Sequence, residues 1–242
     1  MKVGLRRVSP GLNGTEIRVV NWYNLLGCVQ QMGKPRMFIV IEGPEGSGKS
    51  TLASNVADWL RRQAKDVLLV RDPGGTRIGE KIRAVLLDKK NMAMCPGTEL
   101  LLYVAARAQL LGELIQPALD RGVIVVSDRF TLSTFAYQSV TGGWDADMLR
   151  RLITAPYCHR QPDVMFYLDI PIEVGFARMK AVRKKLDRIE SKGRMFHHQV
   201  HNAYKRFALS EFKDVLRIVD ASRAGDDVCD EVCAAIQERL DA

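Results

Sequence analysis

From Met37 onward the chain alternates short apolar runs with longer amphipathic stretches. Met37 to Glu42, Val67 to Arg71, Val123 to Ser127, Val164 to Asp169 and Leu216 to Asp220 have the length and apolar character of strands in a parallel sheet. Lys49 to Gln63, Glu99 to Asp120, Glu173 to Val182, Gly193 to Glu211 and Asp227 to Leu240 read as the helices between them. This alternation predicts βαβ units and an α/β fold of three layers, a five-stranded parallel sheet flanked by helices. Right-handed crossovers place the carboxyl ends of all five strands on one side, where open α/β sheets bind their ligands.

The first 36 residues do not follow this pattern and end in the breaker run Gly33-Lys34-Pro35. They predict an N-terminal extension, 1–36, of unknown role, ahead of one domain at 37–242; a start of translation at Met32 or Met37 is the alternative. The extension lacks a continuous apolar h-region and a small-residue cleavage site, which argues against a secretory signal and leaves an organelle address open. A chain of 242 residues suits one α/β domain. Its apolar runs are too short to span a bilayer, so no membrane partner is expected.

The formal charge of +8 raises the question of nucleic acid. Five of those eight charges are local to the extension, where Lys2, Arg6, Arg7, Arg18, Lys34 and Arg36 face the single acid Glu16. The few that remain are no more than a site for several phosphates requires, so nucleic acid is not an expected partner. Cys28, Cys95, Cys158, Cys229 and Cys233 form neither a CxxC pair nor a compact disulfide pattern, and they read as reduced thiols of a cytoplasmic protein.

Gly43-Pro44-Glu45-Gly46-Ser47-Gly48-Lys49-Ser50 lies between the first strand and the first helix and satisfies GxxxxGK[ST], followed by Thr51. Its glycines let backbone N–H groups point inward, and the helix adds its positive end to the same anion site. Residues Gly43 to Thr51 are therefore expected to cradle the phosphates of ATP in a P-loop NTPase fold. Lys49 would reach the β- and γ-phosphates, and the Ser50 hydroxyl would ligate Mg²⁺. The alternative is a glycine-rich turn with a solvated lysine. No NKxD base-reading motif accompanies the loop, and the third strand runs into Ser127-Asp128-Arg129 instead of an acidic pair. GTPases and helicase-like ATPases are thereby set aside, and small-molecule kinases remain.

Four further constellations follow in order: RDPGGT at Arg71 to Thr76, LLYVAARAQ at Leu101 to Gln109, SDRF at Ser127 to Phe130 with STFAYQ at Ser133 to Gln138, and LDRIE at Leu186 to Glu190. In kind, order and spacing, the chain from Met37 to its end resembles the thymidylate kinases. The resemblance implies transfer of the γ-phosphoryl of ATP to dTMP, giving dTDP and ADP, with Mg²⁺ as cofactor. It also implies a homodimer, since relatives pair through apolar helices like Glu99 to Asp120. Rival readings are a broad-specificity deoxynucleoside monophosphate kinase and a nucleotide-binding ATPase without acceptor-stimulated turnover.

Residue by residue, the resemblance gives Arg71 the acceptor phosphate, against a surface ion pair with Asp72, which stands where the family usually has Glu. Tyr103 and Arg107, four apart, share one helix face. The resemblance has Tyr103 stack on thymine and Arg107 donate to its O4; a core tyrosine and a solvated helix arginine are the plain alternatives. Asp128 would organise Mg²⁺ or its waters and Arg129 would grip the acceptor phosphate, against a structural pair between the two. Phe130 replaces the Tyr or His of many relatives. Ser133, Thr134, Tyr137 and Gln138 match the nucleoside-facing segment, with Tyr137 under the deoxyribose and Thr134 and Gln138 at the base edge and phosphate surroundings. Glu45 takes the place of an acid near the 3′-hydroxyl.

An arginine-rich stretch near 178–193 resembles a mobile lid that closes over ATP. Arg178 and Arg183 are both candidates for the cation it delivers. Gly46 stands where one subtype carries an arginine inside the loop, so the chain resembles the bacterial type, which supplies arginine from the lid. His197, His198 and His201 read as a polar helix face, not a metal site.

Overall fold

In the computed structural model, residues 36–155, 157–158, 160–181 and 186–241 are described. The extension up to residue 35 and Arg183 lie outside them. Strands β1 Phe38–Glu42, β2 Val67–Arg71, β3 Ile124–Asp128, β4 Val164–Asp169 and β5 Leu216–Asp220 form one sheet in the order β2-β3-β1-β4-β5. Every pairing is parallel. The three inner strands are buried on both faces, which is why their sequences read as near-continuous apolar runs.

Among the described residues the helices are α1 Lys49–Arg62, α2 Arg77–Leu87, α3 Pro96–Leu110, α4 Gln116–Asp120, α5 Thr131–Thr141, α6 Ala146–Ile153, α7 Ile172–Ala181, α8 Arg194–Glu211 and α9 Gly225–Asp241. The period-two alternation of β1 divides the core between the two faces of the sheet. Phe38 and Val40 join the side chains of α3, α5, α6 and α8. Ile39 and Ile41 join Leu52, Val56 and Leu60 of α1 and Val228, Val232 and Ile236 of α9.

The single helix expected over Glu99 to Asp120 is interrupted. It begins at Pro96, whose missing N–H is of no consequence in a first turn, and runs to Leu110. The ladder then widens to a π-helical turn at Leu111–Ile115, immediately before Pro117. A proline there has no N–H to donate and its ring crowds the preceding turn, so a regular α-ladder cannot continue across it. Strand β3 ends at Asp128, one residue later than the apolar run suggested.

Helices α2, α5 and α6 were not among those the pattern picked out, although two carry clear start signals. Thr76 accepts from Gly79 N at 2.9 Å and Asp145 from Met148 N at 2.8 Å, both side-chain N-caps. Helix α5 is buried along most of its length and so has no polar face to set a period. No helix among the described residues is long and apolar enough to cross a membrane.

Phe166 on β4, 1% exposed, is a direct measure of how tightly the sheet packs against α1 and α9. Phe166→Ala should lower unfolding stability by about 3–5 kcal/mol, read from the urea midpoint and slope, because the side chain leaves a cavity its neighbours fill only partly. A loss below about 1 kcal/mol would mean that this layer is loosely packed.

Candidate functional site

The phosphate loop leaves the central strand β1 at Gly43 and enters α1 at Lys49. Gly48 caps that helix in the left-handed conformation, φ 87°, which a side chain would resist. Gly46, φ 74°, meets a second constraint, since a Cβ there would lie 2.2 Å from the carbonyl oxygen of Gly175 on α7. An arginine at this loop position is therefore excluded by the packing of α7.

Lys49 donates its Nζ to Pro44 O at 3.0 Å and is buried. Burial and the charge of Arg129 push its amine down to about 8, against the opposing pull of Asp128, Glu45 and Glu42. Ser50 Oγ donates to Asp128 Oδ2 at 2.5 Å, while Asp128 Oδ1 is buried without a hydrogen-bond partner among the described residues. An unpartnered carboxylate oxygen beside a serine hydroxyl suits a divalent cation that takes its other ligands from phosphates and water.

A cavity of about 640 Å³ opens beside this loop. Of the residues singled out by sequence, Glu45, Gly46, Gly48, Lys49, Ser50, Thr51, Arg71, Tyr103, Arg107, Asp128, Arg129, Ser133, Thr134, Tyr137, Gln138 and Arg178 all line it. Gly43, Pro44 and Ser47 shape the loop without lining the cavity. Residues from five separate stretches of sequence thus face one space.

Arg129 joins the loop to α5. Its backbone is in the left-handed region, φ 73°, held by a bond from its N to Ile41 O and by Ser127 Oγ donating to its carbonyl. Such a conformation in a residue other than glycine is unfavourable and persists because its surroundings fix it. The guanidinium donates to Gly43 O at 3.0 Å, Ser133 Oγ at 3.2 Å and Tyr204 OH at 2.7 Å. It also lies 5.5 Å over the Tyr137 ring and 3.7 Å from Glu45 Oε1. Asp128 bonds Ser50 and Arg129 turns toward the loop and α5, so each faces a different part of the cavity rim.

Arg107 is 2% exposed, not a solvated helix arginine. Its Nε pairs with Asp72 Oδ2 at 2.6 Å, and its Nη2 donates to Thr134 Oγ1 at 2.5 Å and Phe130 O at 3.2 Å. Nη1 is left uncommitted among the described residues. Asp72, joined to Pro73 by a cis peptide bond, is buried, and burial raises its carboxyl despite the charge of Arg107. Asp72 is thereby engaged with Arg107, and Arg71 pairs with Glu80 at 2.9 Å in place of Asp72.

Several functional neighbours were not foreseen. Glu42, fully buried at the end of β1, accepts from Phe130 N at 2.7 Å, Ser133 N at 3.1 Å and Ser133 Oγ at 2.6 Å. It satisfies free donors at the start of α5 that no local side chain caps. Burial raises its carboxyl, and the bonds from Ser133 with the charge of Arg129 offset this only partly. Tyr204 stacks on Tyr167 with centroids 5.7 Å apart and shares its hydroxyl with Ser133 and Arg129. Arg83 on α2 also lines the cavity and donates to Pro73 O at 2.8 Å. Only contacts across the sheet reveal these roles, and nothing in the local sequence marks them.

The histidines correct an expectation. His198 is exposed, but His197 is buried with Nδ1 3.6 Å from Glu45 Oε2, and His201 Nε2 lies 2.8 Å from Ile170 O. Burial disfavours the imidazolium of His197, yet the Glu45 carboxylate, together with the backbone at Glu190 and Lys192, outweighs this and raises its pKa. Burial would likewise raise Glu45, but His197, Arg129, Lys49 and the Tyr137 hydroxyl bonded to it hold its carboxyl well below the usual range.

In the expected lid, Arg178 donates to Ala221 O at 2.9 Å while lining the cavity. Arg188 is buried away from it, donating its Nε to Leu86 O at 2.6 Å.

Comparison with known proteins agrees with this geometry. Residues 41–232 match the family model described as thymidylate kinase. The thymidylate kinase of Ectopseudomonas mendocina is 42% identical over 206 residues, covering 85% of this chain and 97% of that protein. That of Thermosipho africanus is 40% identical over 204 residues, 84% of this chain and 99% of its own length. That of Pseudomonas fluorescens strain Pf0-1 is 46% identical over 182 residues, 75% and 86% of the two. With the family model spanning the loop and every residue that lines the cavity, the chain belongs to the thymidylate kinase family.

Proposed function

We infer that the cavity holds ATP and dTMP together, and that the γ-phosphoryl passes from one to the other. The enzyme is an ATP-dependent thymidylate kinase, forming dTDP and ADP. The observation that carries the residue assignments is the position of Arg129, bonded at once to the phosphate loop through Gly43 and to the acceptor helix through Ser133. A cation so placed faces both phosphates.

In this reading the loop from Gly43 to Thr51 cradles the donor phosphates and Lys49 neutralises charge on the transferring group. An oxygen of the acceptor phosphate attacks the γ-phosphorus as its bond to the β-phosphate oxygen breaks, and ADP takes that electron pair. Ser50 and Asp128 would hold Mg²⁺, which when bound supplies charge neutralisation to the phosphates. Arg71 and Arg129 hold the acceptor phosphate, and Glu45, ionised by its neighbours, receives the 3′-hydroxyl. Tyr137, fixed by Glu45 and Arg129, packs under the sugar. Tyr103 provides a face for the base. Arg178, with Arg183 beyond the described residues, supplies the lid's cation.

Base selection follows from two buried groups. Arg107 offers a donor to the O4 edge. Gln138, fully buried in the cavity wall, donates Nε2 to Glu99 Oε1 at 3.0 Å and leaves Oε1 without a partner among the described residues. A donor beside an acceptor matches O4 and N3–H of thymine and opposes the amine and bare N3 of cytosine.

Coupled ADP release should therefore favour dTMP over dCMP by roughly 10²-fold or more, because the wrong base strands buried polar groups. dUMP, lacking only the methyl, should be used roughly tenfold less well than dTMP. A chain beginning at Met37 should give the same profile, since residues 1–36 are assigned no part in the site. Equal use of dCMP and dTMP would sink the assignment.

Lys49→Ala should keep the fold, by circular dichroism and thermal melting, because it removes a buried ammonium whose charge burial and Arg129 already disfavour. Turnover should nevertheless fall by about 10²-fold or more. A folded Lys49→Ala protein with full turnover would overturn the assigned donor site.

A further inference from the structure

Gln138 cannot choose the sense of its own amide; something must fix which end faces the base. Its Nε2 meets Glu99 Oε1 at 3.0 Å, and the Glu99 side chain on α3 is 1% exposed. An ionised carboxylate only accepts, so a flipped amide would set two oxygens against each other. The charge on Glu99 is in turn matched from one segment. Arg188 Nη2 lies 2.7 Å from Glu99 Oε2, and Lys192 Nζ lies 3.8 Å from it.

Both cations are anchored. Arg188 donates Nε to Leu86 O at 2.6 Å and its backbone N to Leu87 O at 3.0 Å, at the end of α2. Lys192 donates to Thr141 Oγ1 at 3.2 Å and sits 4.4 Å over the Phe196 ring. A buried carboxylate held by two cations from the LDRIE stretch and its sequel therefore ends on the amide that faces the base.

We propose that Glu99, held by Arg188 and Lys192, is a positioning residue that sets acceptor-base specificity by fixing the Gln138 amide with Oε1 toward the base. This rests on the thymidylate reading above. Gln138 touches the base, and Glu99 acts through it. The arrangement also ties base selection to the lid stretch itself, so a substitution at Arg188, which does not line the cavity, alters which base is accepted.

The test pairs Glu99→Gln with Arg188→Met, which removes the carboxylate together with its nearer, buried countercharge and leaves Lys192 its bond to Thr141. A neutral amide at 99 both donates and accepts, so Gln138 loses its fixed sense. The expected result is a rise of about tenfold in the KM for dTMP, with the ATP KM within about twofold and the preference for dTMP over dCMP narrowed by about tenfold. The Gln138→Ala variant should narrow that preference itself, and adding the Glu99→Gln/Arg188→Met pair to it should narrow it no further.

A purely structural role predicts otherwise: use of dTMP and dCMP would fall together with their ratio unchanged, or the narrowing would add in full to that of Gln138→Ala. Either result overturns the proposal. If the double variant does not fold, Glu99→Asp keeps the countercharge for Arg188 and withdraws it from Nε2 by one methylene. It should narrow the ratio by about threefold, and an unchanged ratio there overturns the proposal equally. Failure of the wild type to phosphorylate dTMP would instead refute the functional reading on which this one stands.

Discussion

Binding two phosphorylated ligands side by side requires cations to be gathered where they repel one another, and the structure is organised around making that tolerable. The depressed amine of Lys49, about 8, reflects how unfavourable burial beside Arg129 is for it. The compensating carboxylates come from the carboxyl ends of the parallel strands. Glu42 ends β1 and Asp128 ends β3, while Asp72 directly follows β2 and Glu45 lies in the loop leaving β1. Parallel strands in register deliver these groups to one edge, so the sheet topology itself sets the charge balance of the site.

Each carboxylate serves a different group. Asp72 pairs with Arg107, and Glu42 satisfies the start of α5. Asp128 takes the Ser50 hydroxyl and keeps one oxygen free, whereas Glu45 stays ionised between His197, Arg129 and Tyr137. Glu42, Glu45 and Asp72 are thereby engaged with partners inside the protein.

What the sequence made legible divides along the same line. The phosphate loop could be read because its chemistry is local: turn, lysine, hydroxyl and helix start fall within nine residues, Gly43 to Thr51. The inner strands could be read because burial on both faces leaves near-continuous apolar runs. Helix α5 could not, because burial on nearly all sides erases the periodicity by which helices are recognised. Pairs such as Asp72 with Arg107 and Glu99 with Arg188 join residues far apart in sequence, and no local spacing announces them. In sequence His197 reads as part of a polar face because its neighbours His198 and Gln199 are polar too. Its burial depends on where α8 crosses the loop.

A separate contact, of α7 with the loop, shows how the loop and the start of the lid constrain each other. A Cβ on Gly175 would lie 2.7 Å from Glu45 O, and one on Gly46 would lie 2.2 Å from Gly175 O, so backbone meets backbone at this point. With no side chain between them to adjust, α7 cannot shift toward the loop without displacing Glu45 and Gly46. The same contact leaves no room for an arginine at position 46. Glycine at two positions 129 residues apart is thus required by how the loop and α7 meet, which is a constraint of packing before it is one of chemistry.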